Sequence, residues 1–510
     1  MNNVQFVGNR SGSRGGGIFI QSSSTLNMED VTVSHNESES GGGIYVSFAN
    51  LNFSPSLLCN IHSNFAASGN DIYTTNAGII DIYLNTFSVL LPNDYYAHPI
   101  ENFSFIEILQ GLETQEDADL YVNSFYGNDD NSGLTDDLPL KSIEKALRKI
   151  IASSRTPRTI HLAGGMYSNG FSAERFPLNA RDFVSLSGAS VTNTILDGGG
   201  ERCVIYCEGD DDFTIENMKI QNGWKWQGGG LYLTDDSDPT LTNVEIRLNS
   251  ANSGGGMYCD SNSSPIINNV YFTENTAEHG GGGIYISSSS PSFSNTIINN
   301  NHSNNDGGGL YLLNCIAINM NNVIITGNTA DNNGDGIYFE DSYIFMTNSI
   351  LTDNVYEYSY SLENYINNNR ILDITYSNIP GGTGTNIDVD PMFFDPINGI
   401  YHLDPGSPCV DAGNPDPAYN DPEDPENLGF ALFPALGTII CDMGSYGGPG
   451  STEWENEGIV LLPPENVTIC VIDNSLEISW DTVIWATSYK VYASDEPYIT
   501  FTDEISSYEG

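Results

Sequence analysis

The chain has 510 residues, with 66 Asp+Glu against 16 Lys+Arg, a formal net charge of −50 and 52 glycines. This balance excludes nucleic acid as a partner, because phosphate neutralisation needs clustered cations, and it disfavours anionic membrane surfaces. Only 16% of residues are charged while 39% are hydrophobic and 11% aromatic, so the chain is no acidic disordered tail, and no apolar run reaches the length of a membrane span.

From the start of the chain, Gly-rich anchors recur: GGGIFI from Gly15, GGGIYV from Gly41 and the weaker GNDIYT from Gly69. Their first apolar residues, Ile18, Ile44 and Ile72, are spaced 26 and 28 apart. NNVQFVGN at residues 2–9 already reads as mid-coil, with no signal peptide ahead of it. The expectation is that residues 1–112 are the C-terminal part of a first solenoid, and that the chain is a fragment of a larger protein.

Residues 113–200 open a second solenoid. YVNSFYGNDDNSGLTDDLPLKSIEKALRKIIAS predicts a loop and then one amphipathic helix near 141–153, with Ile143, Ala146, Leu147, Ile150 and Ile151 on one face. Such a helix covers the open strand edges at a solenoid end. IHLAGGMYS, FVSLSGA and NTILDGGG then read as the first strands.

The main repeat follows. Gly-Gly-Gly-aliphatic-Tyr and its variant GDGIYF place Leu231, Met257, Ile284, Leu310 and Ile337 at intervals of 26, 27, 26 and 27. A second strand keeps the same phase, led by Asn243, Asn269, Asn295, Asn322 and Asn348 and closed by Asn249, Asn275, Asn301, Asn328 and Asn354. Period-two alternation marks strands. A unit of this length cannot bury a strand face alone, so the coils stack at about 4.8 Å per turn. The fold class is all-β: a right-handed parallel β-helix solenoid in two segments, the second capped by the helix. Alternation points Leu231/Leu233, Met257/Cys259, Ile284/Ile286, Leu310/Leu312 and Ile337/Phe339 inward and Tyr232, Tyr258, Tyr285, Tyr311 and Tyr338 outward. Stacked Asn side chains at the corners predict amide ladders.

These repeats resemble those of chlamydial polymorphic outer-membrane proteins, which combine Gly-Gly-Ala-aliphatic with Phe-x-x-Asn. Here Gly replaces the Ala, and Phe-x-x-Asn survives at Phe6–Asn9 and Phe272–Asn275. Residues 120–200 and the segment DPMFFDPINGIYHLDPGSPCVDAGNP through DMGSYGG resemble the opening and closing segments of secreted bacterial pectate-lyase-like β-helix proteins. The second solenoid is thus expected over 113–450 and an acidic linker over 451–462. PPENVTICVIDNSLEISWDTVIWATSYKVYAS, with Trp480, resembles the first strands of a fibronectin type III domain, so a partial β-sandwich is expected over 463–510. The resemblances imply an extracellular or bacterial outer-membrane location.

The chemistry-bearing residues are sparse. Lys141, Lys145, Arg148, Lys149, Arg155 and Arg158 cluster at the cap helix, and between Arg247 and Lys490 the only base is Arg370. Elimination of uronates wants a base near bound calcium, and no Gly-His-Gly or Arg-Ile-Lys is present, so no catalytic residue is assigned. Asp421, Glu423 and Asp424, with Glu426, and Asp235, Asp236 and Asp238 are the calcium candidates, set against solvated loop carboxylates. Cys203/Cys207 and Cys409/Cys441 are candidate bridges or plain core residues. The outward Tyr232, Tyr258, Tyr285, Tyr311 and Tyr338 form a candidate sugar-binding ribbon about 20 Å long, set against simple ladder packing. The function expected is adhesion or glycan binding by a monomer, with a glycan or cell-surface receptor as partner. A polysaccharide lyase or hydrolase and a structural stalk are the rivals.

Overall fold

The computed structural model describes residues 1–209, 212–354 and 371–452, and the strands Thr468–Ile472, Ser475–Ser479, Lys490–Ala493 and Ser506–Glu509. Met1–Glu455 is one compact unit and Asn456–Gly510 another. Arg370 and Trp480 lie outside the described residues.

In the first unit the repeat becomes a stack of parallel coils. Past residue 120, successive coils feed a long thirteen-stranded sheet, a seven-stranded sheet carrying the Gly-Gly-Gly-aliphatic-Tyr motif, and a short five-stranded sheet. Leu231 pairs with Met257, Met257 with Ile284, Ile284 with Leu310 and Leu310 with Ile337, so one repeat is one coil. Leu231, Leu233, Met257, Cys259, Ile284, Ile286, Leu310 and Leu312 are fully enclosed, and only Ile337, on the last of these coils, is half-buried. The glycines have two separate reasons. Gly254 sits at φ +66°, where a side chain is strained, and a Cβ on Gly255 would lie 2.4 Å from the carbonyl oxygen of Gly282 in the next coil.

The two Asn rows serve different ends. Asn249, Asn275, Asn301, Asn328 and Asn354 form a buried ladder: the backbone N–H and side-chain amide of Asn275 both donate to Oδ1 of Asn301 at 3.0 Å, and Asn301 repeats this on Asn328. Asn243, Asn269, Asn295, Asn322 and Asn348 instead take left-handed φ values between 46° and 55° at a bend. Asn tolerates that conformation better than other chiral residues.

The cap helix α1 spans Ile143–Lys149, shorter than the sequence pattern suggested. Ile150 is already extended as its C-cap, and Ile151 turns away to donate its N–H to Glu116. Ser142 caps the first turn through Lys145 N–H. Glu174, fully buried, accepts from Ile143 N–H at 2.6 Å and Glu144 N–H at 3.2 Å. Burial pushes its carboxyl up to about 8 despite those donors.

Residues 2–111 form their own stack, with a six-stranded and a four-stranded sheet. Its coils meet the second stack in reverse order. The Tyr96 hydroxyl donates to the Arg148 carbonyl, the Asn179 amide to the Ala66 carbonyl at 2.7 Å, and Arg202 pairs with Glu37. The two stacks therefore lie side by side and run in opposite directions.

The segment from Ile400 to Ser451 does not sit across the end of the second stack. It runs back along the flank. Asn322 donates to the carbonyls of Asp442 and Gly444 at 3.0 and 3.1 Å, Asn295 to those of Ser445 and Gly447, and Asn348 Oδ1 accepts from Asn414 N–H at 2.7 Å. Beneath it lies a second core: Ile297, Ile324, Ile350, Tyr401, Leu403, Cys409, Met443 and Tyr446. Cys203, Cys207, Cys259, Cys409 and Cys441 are all buried free thiols, so neither candidate bridge forms. In the second unit, Thr468–Ile472 pairs antiparallel with Ser475–Ser479, and Lys490–Ala493 with Ser506–Glu509.

Candidate functional site

Tyr232, Tyr258, Tyr285, Tyr311 and Tyr338 do form one column, and Tyr206 adds a further ring at its start, which the repeat pattern had not included. Ring centroids lie 5.0 Å apart for Tyr258–Tyr285, 4.7 Å for Tyr285–Tyr311 and 4.8 Å for Tyr311–Tyr338, with interplanar angles of 8°, 9° and 29°. The inner rings thus cover one another's faces. Tyr258 is only 7% exposed, and the other four of the expected ribbon are half-buried. A sugar approaching this column meets ring edges and hydroxyls. Burial pushes the Tyr232 phenol up to about 12, so that ring stays neutral across the physiological range.

Asp421, Glu423 and Asp424 each spend their carboxylate on backbone. Asp421 is buried and accepts from the N–H groups of Asp442 and Gly448, Glu423 accepts from Gly429 N–H at 2.8 Å, and Asp424 from Glu426 N–H at 2.9 Å. Among the described residues no group of three His, Cys, Asp or Glu is placed to hold a metal ion. Asp235 and Asp236 occupy a left-handed turn, and Asp238 accepts from Ser264 N–H. These carboxylates shape loops.

The groove that the geometry does assemble lies on the outer face of the long sheet, with a volume of about 460 Å³. Two aligned columns make its floor. Ser294, Asn321, Thr347 and Thr375 pair in sequence along one. Ser292, Asn319, Phe345 and Asp373 pair along the other. Alternation sets these side chains outward while Phe293, Met320 and Met346 fill the core behind them. Asn414 and Tyr419, from the returning segment, also line the groove. Phe345 is 38% exposed and gives the floor one apolar face. Among the described residues the lining carries one carboxylate, Asp373, and no cation.

None of these residues was singled out in the repeat pattern. Phe345 had a visible signal, an aromatic at an outward position where the neighbouring coils carry Asn319 and Asp373. Asn414 and Tyr419 had none, because they come from a segment far along the chain.

The family model for the right-handed beta helix region matches residues 203–374, which contain nearly the whole floor of this groove. Among solved structures, pectate lyase Pel9A is similar at 11% identity and a TM-score of 0.34, over 66% of this chain and 97% of its own. A pectin methylesterase variant in complex with a hexasaccharide is 13% identical with a TM-score of 0.31, over 50% of this chain and 93% of its own. Pectin methylesterase PemA from Erwinia chrysanthemi is 13% identical with a TM-score of 0.25, over 47% and 91%. No curated protein matches the chain.

Proposed function

We propose that this right-handed β-helix is a secreted or cell-surface protein that binds glycan along the outer groove of its long sheet and does not cleave it. The groove itself carries this reading. Its floor offers rows of hydroxyl and amide groups at the ordinary strand spacing, which suit the repeated hydroxyls of a polysaccharide chain. Phe345 and Tyr419 supply apolar surface for the C–H face of a sugar ring. Hydrolysis by the usual mechanism needs two carboxyl groups flanking the bond, and elimination needs a positioned base. Among the described residues the lining holds one carboxylate and no cation, which supports retention over turnover. A neutral glycan is the ligand that this lining suits.

The test is retention on neutral polysaccharides in affinity electrophoresis, with xylan, glucan and galactan gels and assay of the same polymers for new reducing ends. Retention on at least one polymer, lost in Phe345→Ala and in Tyr419→Ala and unaccompanied by new ends, is the expected result. Turnover would overturn the non-catalytic reading. Retention that both substitutions leave unchanged would remove the groove from it.

A further inference from the structure

A second opening lies where the two stacks meet, on the strand Trp224–Gln227 and the coils beside it. It has a volume of about 310 Å³ and is lined by Trp224, Trp226, Lys225, Arg10 and Arg202, with Glu39 and Glu201. Three of the chain's 16 basic residues therefore converge in one cleft of a molecule with 66 acidic ones. Two of its five tryptophans stand there as well, 48% and 65% exposed. Large exposed aromatic surface beside polar groups marks a binding site more often than a structural one.

The architecture fixes these groups in place. Trp224 and Trp226 share one side of the strand by alternation, and Trp224 N–H donates to the Arg202 carbonyl at 2.9 Å. Trp226 meets His279 edge to face, with ring centroids 6.5 Å apart. Glu37 of the first stack pairs with Arg202 and, at 3.3 Å, with Arg10, so the joint itself holds both guanidinium groups. The Arg10 side chain nevertheless remains 68% exposed. Lys225 makes no ion pair among the described residues, and its ammonium lies 4.8 and 4.6 Å from the ring centres of Tyr206 and Tyr232. In the same aligned position the next coils carry Ala251 and Ala277. The cation thus belongs to this coil and not to the two that follow it.

We propose that this cleft binds a saccharide carrying a carboxylate. The tryptophans offer flat apolar faces to sugar C–H groups, and Arg10 and Lys225 supply charge-assisted donors to the carboxylate. Elsewhere the acidic surface repels such a ligand. Three cations held at the joint between stacks balance Glu37, Glu39 and Glu201, which lifts that repulsion at one point. The site is separate from the groove of the long sheet, and it stands whether or not that groove binds neutral glycan.

The experiment is calorimetry together with tryptophan fluorescence on the whole protein, using matched pairs of probes: 3′-sialyllactose against lactose, and trigalacturonate against galactotriose. At least one acidic probe should quench tryptophan emission and bind about tenfold or more tightly than its neutral counterpart. Its affinity should fall between about 50 mM and about 500 mM salt. Trp226→Ala and Arg10→Gln, both at exposed positions, should each abolish the difference without moving the melting temperature, and Lys225→Met should weaken it while keeping the apolar stem. Phe345→Ala should leave it unchanged, which separates this site from the groove. If no acidic probe outbinds its neutral counterpart, or if the preference survives Trp226→Ala and Arg10→Gln, the proposal fails.

Discussion

The hydroxyl groups of Tyr271 and Tyr446 meet at 2.7 Å although 175 residues separate them. Tyr271 belongs to an outward column of the long sheet that reads Lys219, Glu245, Tyr271, Ile297, Ile324 and Ile350 from coil to coil. The column is charged in the earlier coils, as in the Lys219–Glu245 pair at 2.7 Å, and becomes apolar where the returning segment covers it. Tyr271 marks the change, with one polar group that its partner satisfies.

That dependence predicts the effect of Ile324→Ala. Ile324 is fully buried between sheet and returning segment, and truncating it removes transfer energy and leaves a cavity. The expected loss is about 2–4 kcal/mol, seen as a lower melting temperature and faster proteolytic cutting between residues 400 and 448, with the coils before residue 350 spared. An unchanged cutting pattern would show that the segment is held by its backbone hydrogen bonds alone.

The Asn ladder makes a sharper prediction. Asn301 Oδ1 accepts two donors from Asn275, and its amide donates to the Phe272 carbonyl at 2.9 Å and to Asn328. Asn301→Ala strands both donors of Asn275 in a dry site, which should cost about 3 kcal/mol or more. Asn319→Ala, exposed on the outward face of the next coil, should cost well under 1 kcal/mol by the ordinary behaviour of surface positions. Urea midpoints for the two variants decide the matter. Equal losses would mean that the buried ladder contributes nothing beyond local packing.

Asp421 predicts a pH dependence. Burial raises its carboxyl to about 7 from an ordinary 3.8; the N–H groups of Gly448 and Asp442 oppose the shift and Asp411 adds to it. Asp442, beside it, is raised well above the ordinary range, also by burial first. Between about pH 4 and about pH 7 the folded state holds a proton that the unfolded state has released, so stability falls as pH rises through that window. The native protein should therefore melt higher near pH 5 than near pH 8, and Asp421→Asn should reduce that difference. The variant comparison matters because general charge repulsion in so acidic a chain acts in the same direction. A slope that the substitution leaves untouched would assign the pH dependence to Asp442 and the surface.

The sequence by itself determined the coil. The phase of the Gly and Asn motifs sets its length, and period-two alternation assigns each strand face, so Cys259 could be placed in the core beside Leu233 and Ile286 from pattern alone. These are local and repetitive constraints: every coil meets a near copy of itself, and one rule serves all of them. Tertiary structure alone decided the rest. Consecutive apolar residues such as Ile297-Ile298 and Ile324-Ile325 break the alternation, and only the returning segment explains why. The same segment brings Asn414 and Tyr419 to the groove. Arg10 lines one cleft with Trp226 because two stacks fold back on each other. Each of these is a contact between non-equivalent parts of the chain, for which a repeat carries no rule.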